Sequence, residues 1–210
     1  MSRRRLSRAF FDRPAVDVAP ALLGRVLVRI LADGTRLSGR VVEAEAYEPG
    51  DPASHGFRGP TPRNRTMFGP PGRLYVYFTY GHHWMMNVVT RAQGHGSAVL
   101  LRALEPLEGL ETMAEARGRT APRDLCSGPG KLAQALAVDS EQDGEDLVRG
   151  RVVWLEAGAP PASSDVATGG RIGVSVGVEP QWRFWERGSE WISPGRPGPP
   201  SPRRRAPQTP

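Results

Sequence analysis

The sequence predicts an α+β fold built on an antiparallel sheet, and three observations lead there. Alternating apolar and polar runs come in pairs joined by turn residues, the pattern of hairpins. A few short helical patterns are interspersed among them, with none of the strand-helix-strand alternation that builds a parallel sheet. The length, 210 residues, suits one domain that can bury most of its unfolded surface without disulfides or metal.

Taken in order, residues 1–13 carry Arg3, Arg4, Arg5, Arg8 and Arg13 and are expected to form a basic N-terminal arm. The charge is that of a signal peptide's first region, but Arg8, Asp12 and Arg13 interrupt any apolar core behind it, so no export is expected. Residues 14–193 are expected to be the folded domain. Between residues 25 and 47, two alternating runs flank Asp33-Gly34, a strong hairpin signal. In the second run Glu43, Glu45 and Tyr47 share one face, while Val42, Ala44 and Ala46 take the other. Residues 73–80 and 83–90 read as a second hairpin around Gly81 with Tyr80 at its tip, and residues 98–103 as another strand. Residues 106–117 place Leu107, Leu110 and Met113 at helical spacing behind a proline. A second helix is expected after Ser127, burying Leu132, Ala135 and Leu136. Residues 171–176 and 182–191 read as further strands. From Pro194 the chain is too rich in proline and arginine to pack, so residues 194–210 are expected to be a disordered tail.

The formal net charge is +6, carried largely by the two ends. That distribution favours a polyanionic partner, against the alternative of tails that only solubilise. The single cysteine, Cys126, cannot form an internal disulfide, which points to a reducing compartment. A small buried hydrophobe is the favoured reading of it, because no histidine or acid accompanies it at a recognisable spacing. No apolar run approaches the roughly 18 residues of a membrane span.

Several positions carry candidate chemistry. Glu43 and Glu45 project the same way, and a carboxylate set among rings such as Tyr47 would be partly desolvated and a stronger base near neutral pH. On spacing alone, a solvated strand face competes with a catalytic pair. Tyr75 and Tyr77 point away from Leu74, Val76 and Phe78, so this strand has an apolar face and spends phenols on its other one. Such rings pack a core or stack a flat base, the latter worth about 1 to 3 kcal/mol per base. Tyr80, flanked by Gly81, His82 and His83, could enter a duplex and fill the gap left by an extruded nucleotide.

Arg102 stands inside an otherwise apolar strand, and if buried it needs a partner such as Glu45. The stretch from Cys126 to Lys131 is not a triphosphate loop, since Leu125 and Leu132 occupy two of its required positions. The backbone of Gly128 and Gly130, with Lys131, the only lysine, could still meet a DNA phosphate; an ordinary helix entry is the equal alternative. Arg63 and Arg65 would add to a phosphate-binding rim. His55, His82, His83 and His95 show no metal-binding spacing, so neither a metal nor a cofactor is expected.

The segments Glu43-Ala44-Glu45-Ala46-Tyr47, Ala53-Ser54-His55, Thr61-Pro62-Arg63-Asn64-Arg65, Leu74-Tyr75-Val76-Tyr77, Leu100-Leu101-Arg102-Ala103-Leu104-Glu105-Pro106 and Leu125-Cys126-Ser127-Gly128-Pro129-Gly130-Lys131 resemble the alkyladenine (3-methyladenine) DNA glycosylase family. With Met67-Phe68, Tyr80-Gly81 and Met86-Asn87, the resemblance covers most of residues 16–193. It implies a single compact domain around a curved antiparallel sheet. It also implies a monofunctional enzyme that flips alkylated or deaminated purines out of duplex DNA and hydrolyses the N-glycosidic bond, starting base excision repair without lyase activity.

By that resemblance Glu45 is the general base, and Arg102 with a main-chain carbonyl at Ile172 holds the water. Tyr47, His55 and Tyr77 stack and hydrogen-bond the flipped base, and Asn87 screens out guanine. Tyr80 is the wedge, with Met67 beside it at the DNA surface. Glu43 is expected to matter far less than Glu45. The expected partner is double-stranded DNA containing damaged purines, met by a monomer in the cytoplasm at the nucleoid. The segment between Tyr47 and His55 is one residue shorter than the family's pattern. The other readings are a non-catalytic lesion binder, which Glu45 and Arg102 together argue against, and an RNA-binding module related to the C-terminal domain of methionyl-tRNA formyltransferase, which the wedge and base pocket argue against.

Overall fold

A computed structural model of the chain describes residues 4–79 and 81–197. Two helices, α1 (Arg8–Phe11) and α2 (Ala15–Leu22), lead into strands β1 (Val26–Ile30) and β2 (Arg36–Tyr47). After a long irregular stretch come β3 (Leu74–Thr79), β4 (His83–Thr90) and β5 (Ser97–Glu108), then the helices α3 (Leu110–Arg117), α4 (Pro122–Cys126) and α5 (Pro129–Ala135). The strands β6 (Val153–Glu156), β7 (Val166–Gly169) and β8 (Arg183–Glu186) complete the set. The sheet runs β3-β4-β5-β2-β1-β6, with β8 on β2 and β7 on β8, and these pairings are all antiparallel. It is curled, with the helices against it, the α+β architecture that the alternating runs predict.

The first hairpin forms where Asp33-Gly34 predicts it: Gly34 takes φ +88°, left-handed backbone that glycine enters without strain, and the Asp33 carboxylate accepts from the Thr35 N–H. β2 is twelve residues long and organises the rest. Along one edge it pairs with β5; along the other its first half pairs with β1, and Glu43 to Glu45 pair with β8. The Glu43–Glu45 stretch therefore has a strand on both sides.

Three register shifts interrupt the β2–β5 ladder, one between Ser38 and Gly39 and two flanking Glu43. Val41 faces Leu104 and Glu43 faces Ala103, which leaves Val42 as the extra residue in β2. Ala44 then faces Leu101, which leaves Arg102 as the extra residue in β5. A bulge of this kind re-aims a side chain while the flanking register survives. Ala44 and Ala46 join the main core with Val18 and Leu22 of α2, Leu101 and Leu104 of β5 and Leu132 and Leu136 at α5. Leu132, Ala135 and Leu136 are buried as the helical spacing requires, and Cys126 is buried among them.

Four expectations need correction. From Arg4 onward the supposed N-terminal arm is part of the fold: Leu6 and Phe11 enter the core, Arg5 bridges to Glu156 at the outer edge of β6, and Arg8 pairs with Asp146 at 2.6 Å. Residues 106–108 are strand rather than helix, and α3 begins only after Gly109, whose φ is +77°. Pro106 stands opposite Gly39 next to a register shift in the β2–β5 ladder, and β4 pairs with β5 only as far as Leu100, so it occupies an irregular, one-sided position of the kind a proline tolerates. Residues 171–176 are not a strand. Glycines at 173 and 177 are left-handed, and Ile172 makes only an isolated bridge, to Pro197. That bridge also shows that the beginning of the expected tail, residues 194–197, packs onto the domain. Residues 198–210 lie outside the described residues. Among the described residues, no helix is long and apolar enough to cross a membrane.

Candidate active site

The face of β2 turned away from the main core, together with β3, β4 and β5, walls a cavity of about 290 Å³. That is near the small end of the range for small-ligand sites. Its lining includes Tyr47, His55, Met67, Tyr75, Tyr77, Asn87, Arg102 and Ile172. The structure thus gathers at one place the expected base-pocket residues Tyr47, His55, Tyr77 and Asn87 with Arg102 and Ile172.

Glu45 lies behind this lining, fully buried. Its Oε1 accepts the Ile172 N–H at 2.7 Å, and its Oε2 accepts the Tyr47 hydroxyl at 3.0 Å and Arg102 Nη1 at 3.3 Å. Burial raises its pKa, and the charge of Glu43 adds to that; Arg102, the Ile172 N–H and the Tyr47 hydroxyl pull the other way without cancelling it. The outcome is a carboxylate with more appetite for a proton than an exposed glutamate, touching three residues that themselves face the cavity. Tyr47 is pushed well up by burial and then by Glu45, so its phenol stays protonated and donates. At Ile172 the main-chain group that reaches Glu45 is the N–H.

Arg102 can serve Glu45 because it is the bulged residue of β5. Its Nε donates to Glu43 Oε1 at 3.2 Å and its Nη2 to Ser193 Oγ at 3.2 Å. Glu43 is held as closely as Glu45. It is fully buried and also accepts Arg183 Nε at 2.6 Å and the Ser193 N–H at 2.6 Å.

The opposite wall is aromatic. The His55 ring sits edge-on to Tyr77 with centroids 4.3 Å apart, and His55 Nδ1 lies 3.1 Å from the Tyr75 hydroxyl. Burial, then the charge of Arg63, lowers the His55 pKa, so the ring is neutral near pH 7. Asn64 ties this loop in place by donating from Nδ2 to the His55 carbonyl at 2.7 Å. The shortened segment before His55 therefore still delivers it to the cavity. Asn87 donates from Nδ2 to the Tyr75 carbonyl at 3.2 Å.

Met67, expected next to the wedge at the DNA surface, is buried. The short turn Arg65–Phe68 is pinned by Phe68, whose ring occupies the space a Cβ on Gly96 would need, and this turns Met67 inward to pack with Tyr75, Val89 and Ala98 in the cavity wall. Tyr80 lies outside the described residues; Thr79 and Met85 of its hairpin line the cavity. Arg63 and Arg65 are exposed, Arg63 donating to the Phe78 carbonyl. Gly128 precedes α5, Pro129 reaches the cavity, Gly130 packs against the His83 ring, and Lys131 Nζ donates to Ser127 Oγ at 3.1 Å. Among the described residues, no three His, Cys, Asp or Glu side chains are grouped to hold a metal ion.

Sequence reasoning missed Ser193 and the buried pair Arg171–Asp51. Arg171 is fully buried, bidentate to Asp51, and donates to the carbonyls of Ala46 and Gly177. Its guanidinium carbon lies 4.7 Å from the Tyr47 ring centroid and 5.3 Å from that of Trp182. It thereby joins the end of β2, the His55 loop and the Ile172 loop. Nothing in the spacing of residues 51 and 171 could have announced the pair, although an arginine beside Ile172 in a glycine-rich stretch was a hint.

Known proteins resemble this chain over nearly all of its length. The pattern of the family described as methylpurine-DNA glycosylase matches residues 9–190. A candidate 3-methyladenine DNA glycosylase of Burkholderia lata is 53% identical over 193 residues, which cover 90% of each chain. One from Chlorobaculum tepidum is 45% identical over 203 residues, covering 96% of this chain and 97% of the relative. The DNA-3-methyladenine glycosylase of Mus musculus is 50% identical over 205 residues, covering 90% of this chain and 61% of the mouse protein. A buried glutamate and its arginine beside an aromatic cavity, on a chain matched across nearly all of its length, lead to one conclusion: the protein belongs to the methylpurine-DNA glycosylase family.

Proposed function

We propose that the protein is a monofunctional DNA glycosylase that binds duplex DNA as a monomer, turns an alkylated or deaminated purine of the 3-methyladenine or hypoxanthine type into the cavity, and hydrolyses its N-glycosidic bond. The observation that carries this reading is the buried Glu45 carboxylate, held by Arg102, Tyr47 and the Ile172 main chain at the back of an aromatic cavity. Breaking the bond leaves an oxocarbenium-like sugar, which a water must attack. Glu45, with its raised pKa, takes the proton of that water. Arg102 and the main chain at Ile172 hold it in place.

Tyr47, His55 and Tyr77 stack and hydrogen-bond the extruded base, with Met67 packing behind Tyr75 in the same wall. Asn87, fixed by the Tyr75 carbonyl, excludes the exocyclic amine of guanine. Tyr80 fills the gap left in the duplex. Arg63, Arg65 and the Gly128–Lys131 loop meet the phosphates. A water rather than an amine is the nucleophile: the only lysine, Lys131, is engaged with Ser127 and does not line the cavity.

The test is release of base from a duplex carrying a single hypoxanthine, and from a methylated duplex. Abasic sites that break only on alkaline treatment, with no borohydride-trapped protein–DNA adduct, are the expected result. Absence of abasic sites from both duplexes refutes the proposal, and a trapped adduct refutes its monofunctional part.

A further inference from the structure

Glu43 is a buried carboxylate on the same strand that the reaction does not use, and it has more donors than Glu45. Its Oε1 accepts from Arg102 Nε, Arg183 Nε and Ser193 Oγ, the last at 2.9 Å, and its Oε2 accepts the Ser193 N–H. The Ser193 hydroxyl spends its one proton on Glu43 and accepts from Arg102 Nη2. A guanidinium is a rigid planar fork, so fixing two of its nitrogens fixes the third. Held by Glu43 at Nε and by Ser193 at Nη2, Arg102 has its Nη1 directed at Glu45.

Ser193 also begins a stretch that runs on over Ile172. Pro197 bridges to Ile172, and a Cβ on Gly195 would lie 2.7 Å from Ile172 Cγ2. One segment near the end of the described chain therefore braces two of the groups that contact Glu45.

We propose that Glu43 and Ser193 are positioning residues for the reaction at Glu45: they aim Arg102 and share its charge between two carboxylates, and residues 193–197 thereby complete the active site. The inference rests on the glycosylase reading above. The charged or titratable groups facing Glu45 are Glu43 and Tyr47 from β2, Arg102 from β5, Arg183 of β8 opposite it in register, and Arg171 from the loop before Ile172. Arg102 and Arg183 both donate to Glu43. In a Glu43→Gln variant their charge falls more fully on Glu45, whose ionised form is then favoured.

Single-turnover excision across pH, with binding to an uncleavable lesion duplex, distinguishes positioning from a merely structural role. Glu43→Gln is expected to shift the acidic limb of the rate profile to lower pH, whereas weakened folding would lower the rate without moving the limb. Ser193→Ala is expected to lower the plateau rate by about tenfold, on the scale of one hydrogen bond to a charged group, with lesion affinity within about twofold. Ser193→Thr, which keeps the hydroxyl, is expected to restore most of the rate.

An unmoved acidic limb in Glu43→Gln overturns the shared-charge inference. If Glu43→Gln does not fold, the Ser193 variants decide: a wild-type rate in Ser193→Ala, a parallel loss of rate and affinity, or no recovery in Ser193→Thr overturns it. A wild-type protein that releases no base overturns this inference together with the glycosylase reading, and is told apart from the other failures by that control.

Discussion

Replacing Glu45 by glutamine separates catalysis from architecture, and the outcome can be worked out from its three partners. If the amide oxygen takes the place of Oε1, it still accepts the Ile172 N–H, and the amide nitrogen faces the Tyr47 hydroxyl, which can turn to accept. Arg102 loses one acceptor but keeps Glu43 and Ser193. Glu45 is not itself in the lining, so the cavity keeps its shape. Loss of a positioned general base costs roughly 10² to 10⁴ in rate, or about 2.7 to 5.5 kcal/mol of barrier.

Stability should move the other way. The pKa of Glu45 is raised in the folded state, chiefly by burial. A group raised on folding contributes stability that is fully present below its unfolded pKa and lost as pH rises through the folded one. Above the folded pKa of Glu45 the wild-type protein has lost that contribution, whereas a neutral glutamine keeps it. Glu45→Gln is therefore expected to melt at or above the wild-type temperature at pH 7, with the difference shrinking below about pH 4, where the glutamate is itself protonated. The wild-type rate should fall on the acidic side within a range above that of an ordinary carboxylate. Single-turnover excision, lesion binding by anisotropy and thermal melts at two pH values make the test. Near-normal excision, or a lower melting temperature at pH 7 accompanied by weakened binding, refutes the argument.

Tyr80→Ala is expected to weaken binding to a duplex carrying an uncleavable abasic analogue, since the extruded nucleotide can return to the stack; unchanged affinity would leave Tyr80 a surface aromatic. Removing residues 1–3 and 198–210 should lower affinity for damaged and undamaged duplex alike and reduce the log–log salt slope by roughly 0.9 for each phosphate no longer neutralised, and an unchanged slope would mean that these ends only solubilise. Asp51→Ala should cost about 3 to 5 kcal/mol by leaving Arg171 buried without its partner; for a chain of this size that is a melting-point drop of roughly 6 to 20 °C, and a drop below about 2 °C would show that the site relaxes or admits water. Burial pushes the Cys126 thiol up to about 12, so an alkylating dye at pH 8 should label the native protein far more slowly than the unfolded one, with comparable rates refuting its burial.

The legible parts of the fold are those whose signal is local. Alternation in residues 41–47 places Glu43, Glu45 and Tyr47 on one face because the side-chain period of a strand is a property of the strand alone, and Asp33-Gly34 marks its turn by its own backbone preference. The misread parts depend on a neighbour. Pro106 looks like a helix start until the pairing shows that β5 has no partner on that edge there. Leu6 and Phe11 are hidden among arginines, and only the open edge of β6 and the core beneath it give them a place. Residues 171–176 alternate as a strand would, yet Arg171 is taken by Asp51 and the Gly177 carbonyl, and the glycines turn the chain away from the sheet.

The site divides in the same way, and Glu43 with Glu45 shows why. Both are glutamates on one strand, on one face, with no exposed surface, so no property of residue type, spacing or burial separates them. What separates them is the origin of their donors. Those of Glu43 come from Arg102, Arg183 and Ser193, of which only Arg102 reaches the cavity, whereas Tyr47, Arg102 and Ile172, which hold Glu45, all line it. Ser193 lies 150 residues from Glu43 in the chain, and Arg102 is aimed by a bulge that exists only in the paired register of β2 and β5. Resemblance can single out Glu45 from the pair. Burial keeps the pKa of Glu45 raised even beside an arginine, and the charge of Glu43, which shares that arginine through long-range partners, adds to it.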